Sequence, residues 1–292
     1  MHRAGATPRA TAAVMGIDTT MPPPRVARIN VTPVKSLRLH HPDALWLDRQ
    51  GAAEDRRFLL VDHALRLYNG NRDAVLVRAS AAWDSDSRRL TMTVPGAGTL
   101  AGDVVRNGST AVNVYGRRVP GHIVEGPWAS ALSDLVRRKL TLVEREDGAR
   151  ATDVRPVTLV SRASLGFVGG DGRRFRMMLE VDGLAAMEEE TWRNRRVRVG
   201  DATVLVRELT HRCGVPSVDP DTGRRDRDML RELIDVREAI DGQACLGVYA
   251  EVLTPGLVCV GDTLEPSGHA RRTTRYFVDR ARISSRRLST RR

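Results

Sequence analysis

The strongest constraint on this chain is its rhythm. Short apolar runs in period-two alternation are each cut off by a Gly, Pro, Asn or Asp turn before a helix could develop. Residues 25–34 alternate well enough for an opening strand, and 57–62, 74–79, 90–94 and 111–115 continue the pattern. After the polar stretch 144–150 the same rhythm resumes at 157–160, 175–181, 248–253 and 257–260. The runs 197–200 and 203–206 flank Gly200-Asp201, a turn dipeptide, and read as a hairpin. Helical periodicity is scarce. Trp128, Leu132, Leu135 and Val136 share one face, residues 187–192 make one acidic turn, and 227–236 is amphipathic through Met229, Leu230, Leu233 and Ile234. Ser161 is a candidate helix N-cap. The predicted fold class is therefore mixed and mostly β, with a few short helices and no regular βαβ winding.

At 292 residues the chain is long enough for two domains. The polar stretch divides it into a strand-rich region at 25–146 and a second region at 150–266, between a leader at 1–24 and a basic tail at 267–292. The net charge of +11 invites a nucleic-acid reading until it is located. The tail carries nine Arg and one Asp, and the leader adds +1, which leaves +2 for residues 25–266. The folded part is nearly neutral, so nucleic-acid contact is expected to be no more than weak electrostatic contact by the tail. Pro22-Pro23-Pro24 follows Met21, so either Met1 or Met21 could be the start.

No segment is apolar for long enough to span a bilayer, and the N-terminus lacks the apolar core of a secretory signal. The cysteines at 213, 245 and 259 form no C-x-x-C pair; an odd number without a secretory signal argues for a reducing, cytoplasmic setting. The seven histidines form no H-x-x-x-H or H-E-x-x-H, which argues against a zinc hydrolase. There is no nucleophile elbow, P-loop or dinucleotide fingerprint. His211 two residues from Cys213 leaves a cysteine hydrolase as a weak alternative, because that spacing shares a face without guaranteeing contact.

The candidate chemistry concentrates at Arg212-Cys213. These residues precede a loop punctuated by Pro216, Pro220 and Gly223, which neither helix nor strand can hold. A guanidinium one residue away favours the thiolate, the form of cysteine that attacks electrophiles and binds soft metals. A free cysteine is more often a small buried hydrophobe, and local sequence alone favours that reading. Asp219-Pro220-Asp221-Thr222-Gly223 is a double turn. Asp55-Arg56 reads first as a structural ion pair, and Arg173-Arg174-Phe175-Arg176 offers three guanidiniums suited to phosphate or carboxylate.

In order along the chain, Val31-Thr32-Pro33-Val34-Lys35-Ser36, Asp55-Arg56-Arg57-Phe58, Arg174-Phe175-Arg176, Glu189-Glu190-Thr191-Trp192, Gly200-Asp201-Ala202, Arg212-Cys213, Asp219-Pro220-Asp221-Thr222-Gly223, Gly247-Val248-Tyr249 and Val260-Gly261-Asp262 form a set. This set resembles the MOSC-domain proteins, named after the C-terminal domain of molybdenum cofactor sulfurase. It is most similar to members with an N-terminal β-barrel region, such as the mitochondrial amidoxime-reducing component. The resemblance spans about residues 25–265. It implies a MOSC-type β-barrel domain preceded by a smaller strand-rich domain, with a molybdenum cofactor (molybdenum–molybdopterin) between them. Cys213 matches the family's metal-binding cysteine. Lys35, Ser36, Arg56, Arg176 and Arg212 match positions that hold the cofactor, and Arg155 and Tyr249 fall where the family also approaches it. Met178 stands where the family often has Asn, and Pro216-Ser217 where two threonines are common, which changes the polar lining beside the thiol.

The resemblance implies an oxidoreductase that reduces N-hydroxylated or other N-oxygenated small molecules. The remaining Cys245 and Cys259 are too few for an iron–sulfur cluster, so electrons are expected from a separate ferredoxin- or flavin-type donor protein. The alternative is a non-redox carrier of sulfur or cofactor working through the Cys213 thiol. Pyridoxal phosphate is not expected, because the desulfurase domain that supplies it in the sulfurases is absent and neither Lys35 nor Lys139 has the context for a Schiff base.

Overall fold

A computed structural model describes residues 22–267, so the leader and the basic tail expected from the sequence lie almost wholly outside the described residues. Four sheets carry the fold. The largest has seven strands, in the order Arg25–Ile29, Leu179–Asp182, Val157–Ser161, Cys245–Thr254, Ala202–His211, Arg196–Val199 and Leu264–Pro266. Its two edges meet: Val26 N–H donates to Asp262 O at 2.8 Å, Gly261 N–H donates to Val26 O at 2.8 Å, and Arg25 bridges Thr263. The sheet thus closes on itself and leaves no long unpaired edge.

Alternation explains the closure. Arg196–Val199 buries Val197 and Val199 while Arg196 and Arg198 face out, and Ala202–His211 turns Ala202, Val204 and Val206 inward. Ile29, Leu47, Leu159, Val248 and Val258 join them in one apolar core. Each such fully buried aliphatic contributes roughly 1.5–3 kcal/mol. The hairpin read around Gly200-Asp201 is present, with Val199 opposite Ala202.

The N-terminal part holds a five-stranded sheet, Leu67–Tyr68, Phe58–Val61, Thr141–Arg145, Arg117–Glu125 and Val105–Val114, and a three-stranded meander, Ser80–Asp84, Arg89–Val94 and Gly98–Asp103. The helix Trp128–Val136 packs Trp128 and Leu132 between them, against Phe58, Leu90 and Met92. The mixed, mostly β class with few short helices is what the structure shows. No helix among the described residues is long and apolar enough to cross a membrane.

The opening strand is not part of the N-terminal sheets. Arg25–Ile29 pairs with Leu179–Asp182, and Ala44–Asp48 pairs with Gly256–Cys259 and Gly51–Ala52. Three local expectations are corrected. Residues 74–79 are not a strand: Ala74–Arg78 is a 3-10 helix, because the Asp73 carboxylate caps it by accepting from Val75 N–H at 3.1 Å. Of the strand expected at 175–181, only its end is extended. Phe175 closes the 3-10 helix Gly172–Phe175, Arg176 turns left-handed, and the strand begins at Leu179. In Met229–Val236, Met229 and Leu233 are buried while Ile234 faces solvent.

Candidate functional site

A cleft lies between the closed barrel and the N-terminal sheets, and every site residue expected from the sequence lines it: Lys35, Ser36, Arg56, Arg155, Arg176, Arg212, Cys213 and Tyr249. They arrive from separate segments, and the backbone makes an unusual concession to bring them there. Among the described residues, four of the ten non-glycine positions with positive φ line this cleft: Ser36, Arg56, Tyr115 and Arg176. Left-handed backbone at non-glycine residues is costly and collects at functional sites.

Lys35 follows Pro33-Val34, where Val34 bridges Phe58 and Lys35 N–H donates to Phe58 O at 2.9 Å. Its ammonium is buried and donates to Ala151 O at 3.1 Å and to Asp153 Oδ1 at 2.6 Å. Burial lowers its pKa, partly countered by Asp153. Ser36 Oγ accepts from Gly70 N–H at 3.0 Å. Arg56 is locked to the buried Asp55, which also accepts from Thr32 N–H at 2.9 Å. Burial opposes the Arg56 charge, but Asp55 and Asp153 outweigh it and its pKa is raised.

The run Arg173-Arg174-Phe175-Arg176 separates into distinct jobs. Arg173 bonds Asp171 and Asp221. Arg174 is buried, makes two 2.8 Å bonds to Asp226 and reaches Asp219 at 3.2 Å. Both therefore brace the Asp-Pro-Asp-Thr-Gly loop. Within that loop Asp219 Oδ1 accepts from Thr222 N–H and Thr222 Oγ1, each at 2.8 Å. Gly223 has φ +71°, and a Cβ there would stand 3.0 Å from Ala74 O, so only glycine lets the loop rest on the 3-10 helix of the N-terminal part.

Arg176 is different. Phe175 and Met177 on either side are buried in the cluster under the helices Arg162–Val168 and Met229–Val236. The left-handed turn at Arg176 sends its guanidinium the other way, to Leu37 O at 2.7 Å. No carboxylate pairs with it among the described residues, and burial, then the charge of Arg56, depresses its pKa to about 10. Arg212 behaves likewise. It donates to Phe175 O at 2.5 Å and to Met177 Sδ at 3.2 Å, and lies over the Phe175 ring at 5.4 Å, while Nε is buried without a partner. Burial lowers its pKa as well. Four cations thus converge with two carboxylates, Asp55 and Asp153, among them. The cleft is built to accept an anion.

Cys213 sits just past the strand Ala202–His211 and is exposed, not a core residue. Arg225 Nη1 donates to Gly214 O at 2.8 Å and pins the chain beside it. Tyr249 enters from Cys245–Thr254, opposite Thr158; it is buried, and burial raises its pKa. Arg155 reaches the cleft edge, but its guanidinium is committed to Glu208 at 2.8 Å and to Glu251. Met178, Pro216 and Ser217 are buried, and Ser217 Oγ accepts from Met229 N–H at 3.2 Å, so the serine supports a helix start.

Residues 146–265 match the family model of the MOSC domain, and residues 23–139 match that of the MOSC N-terminal beta barrel domain. The chain belongs to the MOSC-domain family. Among solved structures, this MOSC protein is similar to the YUAD protein from Bacillus subtilis, at 12% identity over 82% of this chain and 93% of that one, with a TM-score of 0.39. It is also similar to a Bordetella bronchiseptica protein solved in solution, at 18% identity over 33% of this chain and 76% of that one, with a TM-score of 0.26. No curated protein matches its sequence.

Sequence reasoning missed Asp153, the partner of Lys35, because it falls next to the polar stretch read as a boundary. It also missed Asn69, Asn71 and Tyr115, which line the mouth of the cleft. The Asn69-Gly70-Asn71 and Tyr115-Gly116 turns were the available signals.

Proposed function

We propose that this MOSC protein binds a molybdenum–molybdopterin cofactor in the cleft and reduces N-hydroxylated and related N-oxygenated compounds, with electrons from a separate donor protein. The observation that carries the reading is a solvent-facing thiol beside two half-buried guanidiniums that have no carboxylate partner among the described residues. Among the described residues no cluster of three or more His, Cys, Asp or Glu could hold a metal. A metal bound here would bring most of its own ligands, as a dithiolene-held molybdenum does, and would need a single soft donor. The residues fit the group: Arg176, Arg212 and Lys35 suit its phosphate, Ser36 and Tyr249 offer hydroxyls, and Cys213 offers sulfur. Arg56 and Arg155, already held by carboxylates, orient the cleft walls.

Such a cofactor, when bound, supplies two-electron oxygen-removal chemistry. The chain's own part is to anchor the anionic end with half-buried guanidiniums, whose attraction is strengthened by their reduced solvation. The braced loop holds the Cys213 sulfur at a fixed place over the cleft. The three free cysteines suit a reducing compartment such as the cytoplasm.

Protein made in a host that assembles the cofactor should contain molybdenum and an oxidisable fluorescent pterin. Cys213→Ala should lose the metal without losing the fold, since the side chain is exposed. Retention of molybdenum at the parent's level in that variant would remove Cys213 as the ligand. Exposure of the thiol also favours a second reading, a carrier of sulfur or cofactor. A persulfide on Cys213 in purified protein, together with no turnover from any artificial donor, would select it.

A further inference from the structure

At the mouth of the cleft stands a residue that the anchoring of an anion does not use. Tyr115 occupies the two-residue turn between Val105–Val114 and Arg117–Glu125, where Val114 pairs with Arg117. Tyr115 and Gly116 have φ of 51° and 84°, the signature of a type I′ turn. Such turns strongly prefer Asn, Asp or Gly at the first position, because left-handed backbone is unfavourable for an ordinary residue. The hairpin is anchored at its base, with Asn113 N–H donating to Leu65 O at 3.0 Å and Gly116 N–H to Asn113 Oδ1 at 2.8 Å. An aromatic residue is therefore held rigidly in a place where its own backbone preference opposes it.

Much of the ring faces solvent, but the hydroxyl end turns toward the cleft, where Asn69 Nδ2 donates to it at 2.6 Å. The direction of that bond is fixed. Asn69 Oδ1 already accepts from Asn71 N–H at 3.1 Å, so the amide must present its NH₂ to the phenol. Asn69 O in turn accepts from Arg72 N–H at 2.9 Å and Asp73 N–H at 3.0 Å, so Asn69 cannot swing away without unmaking the turn. The phenol oxygen is thus used as an acceptor; the Asn71 side chain also bonds it and, like Asn69, lowers its pKa as a donor to the oxygen does, so neither bond uses the phenol's own hydrogen. The same turn rests against the site: a Cβ on Gly70 would lie 3.8 Å from Ser36 Cβ and 4.0 Å from Val215 Cγ2, two residues past Cys213. Partial withdrawal from water, then the charges of Asp153 and Cys213, push the phenol up to about 12, so it keeps its hydrogen across the physiological range.

We infer that Tyr115 is the substrate-facing hydrogen-bond donor of the cleft, its hydroxyl directed to the oxygen of the substrate's N–O group. The inference rests on the reductase reading above. In that reaction the N–O bond breaks, two electrons come from the donor protein and two protons from solvent, and the oxygen leaves as water while nitrogen gains hydrogen. Tyr115 is not consumed. Its hydrogen bond orients the departing oxygen and offsets the negative charge that grows there.

Two variants of the full chain, loaded with molybdenum, test this with an aryl N-hydroxyamidine as substrate and reduced methyl viologen as donor. Tyr115→Phe should lower kcat/KM by about 10- to 100-fold, with most of the loss in kcat, while molybdenum content and thermal midpoint stay at the parent's values. Tyr115→Asn should lose turnover to the same degree while its thermal midpoint rises, because Asn-Gly suits the type I′ turn. A merely structural tyrosine would not move activity and stability in opposite directions. A parent that reduces the substrate and a Tyr115→Phe variant that matches it would overturn the inference alone. A molybdenum-loaded parent that reduces no N-hydroxylated compound would overturn the reductase reading and the inference with it.

Discussion

In the five-stranded sheet, three arginines converge on one carboxylate: Arg57 at 2.7 Å, Arg88 at 2.8 Å and Arg106 at 2.7 Å all bond Glu144, which is completely buried. In the cleft, Arg176 and Arg212 are half-buried, and they bond backbone carbonyls, a thioether and an aromatic face instead of a carboxylate. The first cluster has spent its cations on an internal anion. The second has kept them available. Burial alone would raise the Glu144 carboxyl, but Arg106, Arg88 and Arg57 outweigh it and hold it at about 2. Arg176, with no such partner, is depressed to about 10. The contrast between Arg174 and Arg176, two residues apart, is the same lesson at shorter range: one guanidinium clamps a loop through Asp226, and the next is left to a ligand.

The largest effect should come from breaking the satisfied cluster. Glu144→Gln leaves three arginines around a neutral amide and should cost about 3–5 kcal/mol in urea unfolding, with molybdenum binding of the folded fraction retained. The pH dependence has a definite sign. A carboxyl held at about 2 in the fold and at the ordinary 4.5 when unfolded stabilises fully above 4.5 and loses that contribution as pH falls toward 2. The variant should therefore unfold in acid with a shallower pH dependence than the parent.

A smaller and opposite result is expected from the unsatisfied cluster. Arg176→Gln abandons no carboxylate, so its stability should lie within about 0.5 kcal/mol of the parent. Its affinity for the cofactor should fall by about 10- to 100-fold, seen as molybdenum lost on dilution and dialysis. Equal losses of stability in the two variants would erase the distinction between the clusters.

Glu189 completes the comparison as an acid that no guanidinium bonds among the described residues. It is fully buried, accepts from Ser164 Oγ at 2.7 Å, and has one oxygen without a partner. Burial raises its pKa to about 7 from the ordinary 4.5. Its contribution is complete below 4.5 and is lost as pH rises through about 7. Glu189→Gln should flatten that decline in a series of thermal midpoints, with little change at pH 4.5.

The alternating strands and the Trp128 helix were legible in sequence because their periodicity reports which face is buried. Ser161 declared its cap through its hydroxyl, which accepts from Ser164 N–H at 2.9 Å. Residues 74–79 misled because their apolar content suits a buried strand and a 3-10 turn equally, and the Asp73 cap decided between them. The Cys213 loop could be found through its ordered motifs. Which of the neighbouring arginines would meet a carboxylate could not, since Asp219 and Asp226 reach Arg174 only after the loop has folded back. Tyr115 stayed hidden for a similar reason: it read as the end of a strand, and only the hairpin brings it to the thiol loop.

The pairing of Arg25–Ile29 with Leu179–Asp182 makes the N-terminal sheets an insertion within the barrel's own chain path. The barrel's first strand leaves the ribosome about 150 residues ahead of its neighbour and must wait, tethered to a body that can assemble meanwhile. Waiting is thermodynamically cheap, since doubling a closed loop costs only about 0.6 kcal/mol. Lys35, Arg56 and Asp153 all lie on segments that cross between the two bodies. The cleft is consequently a seam, and whatever binds there is stitched across it, joining parts of the chain that are made far apart in time.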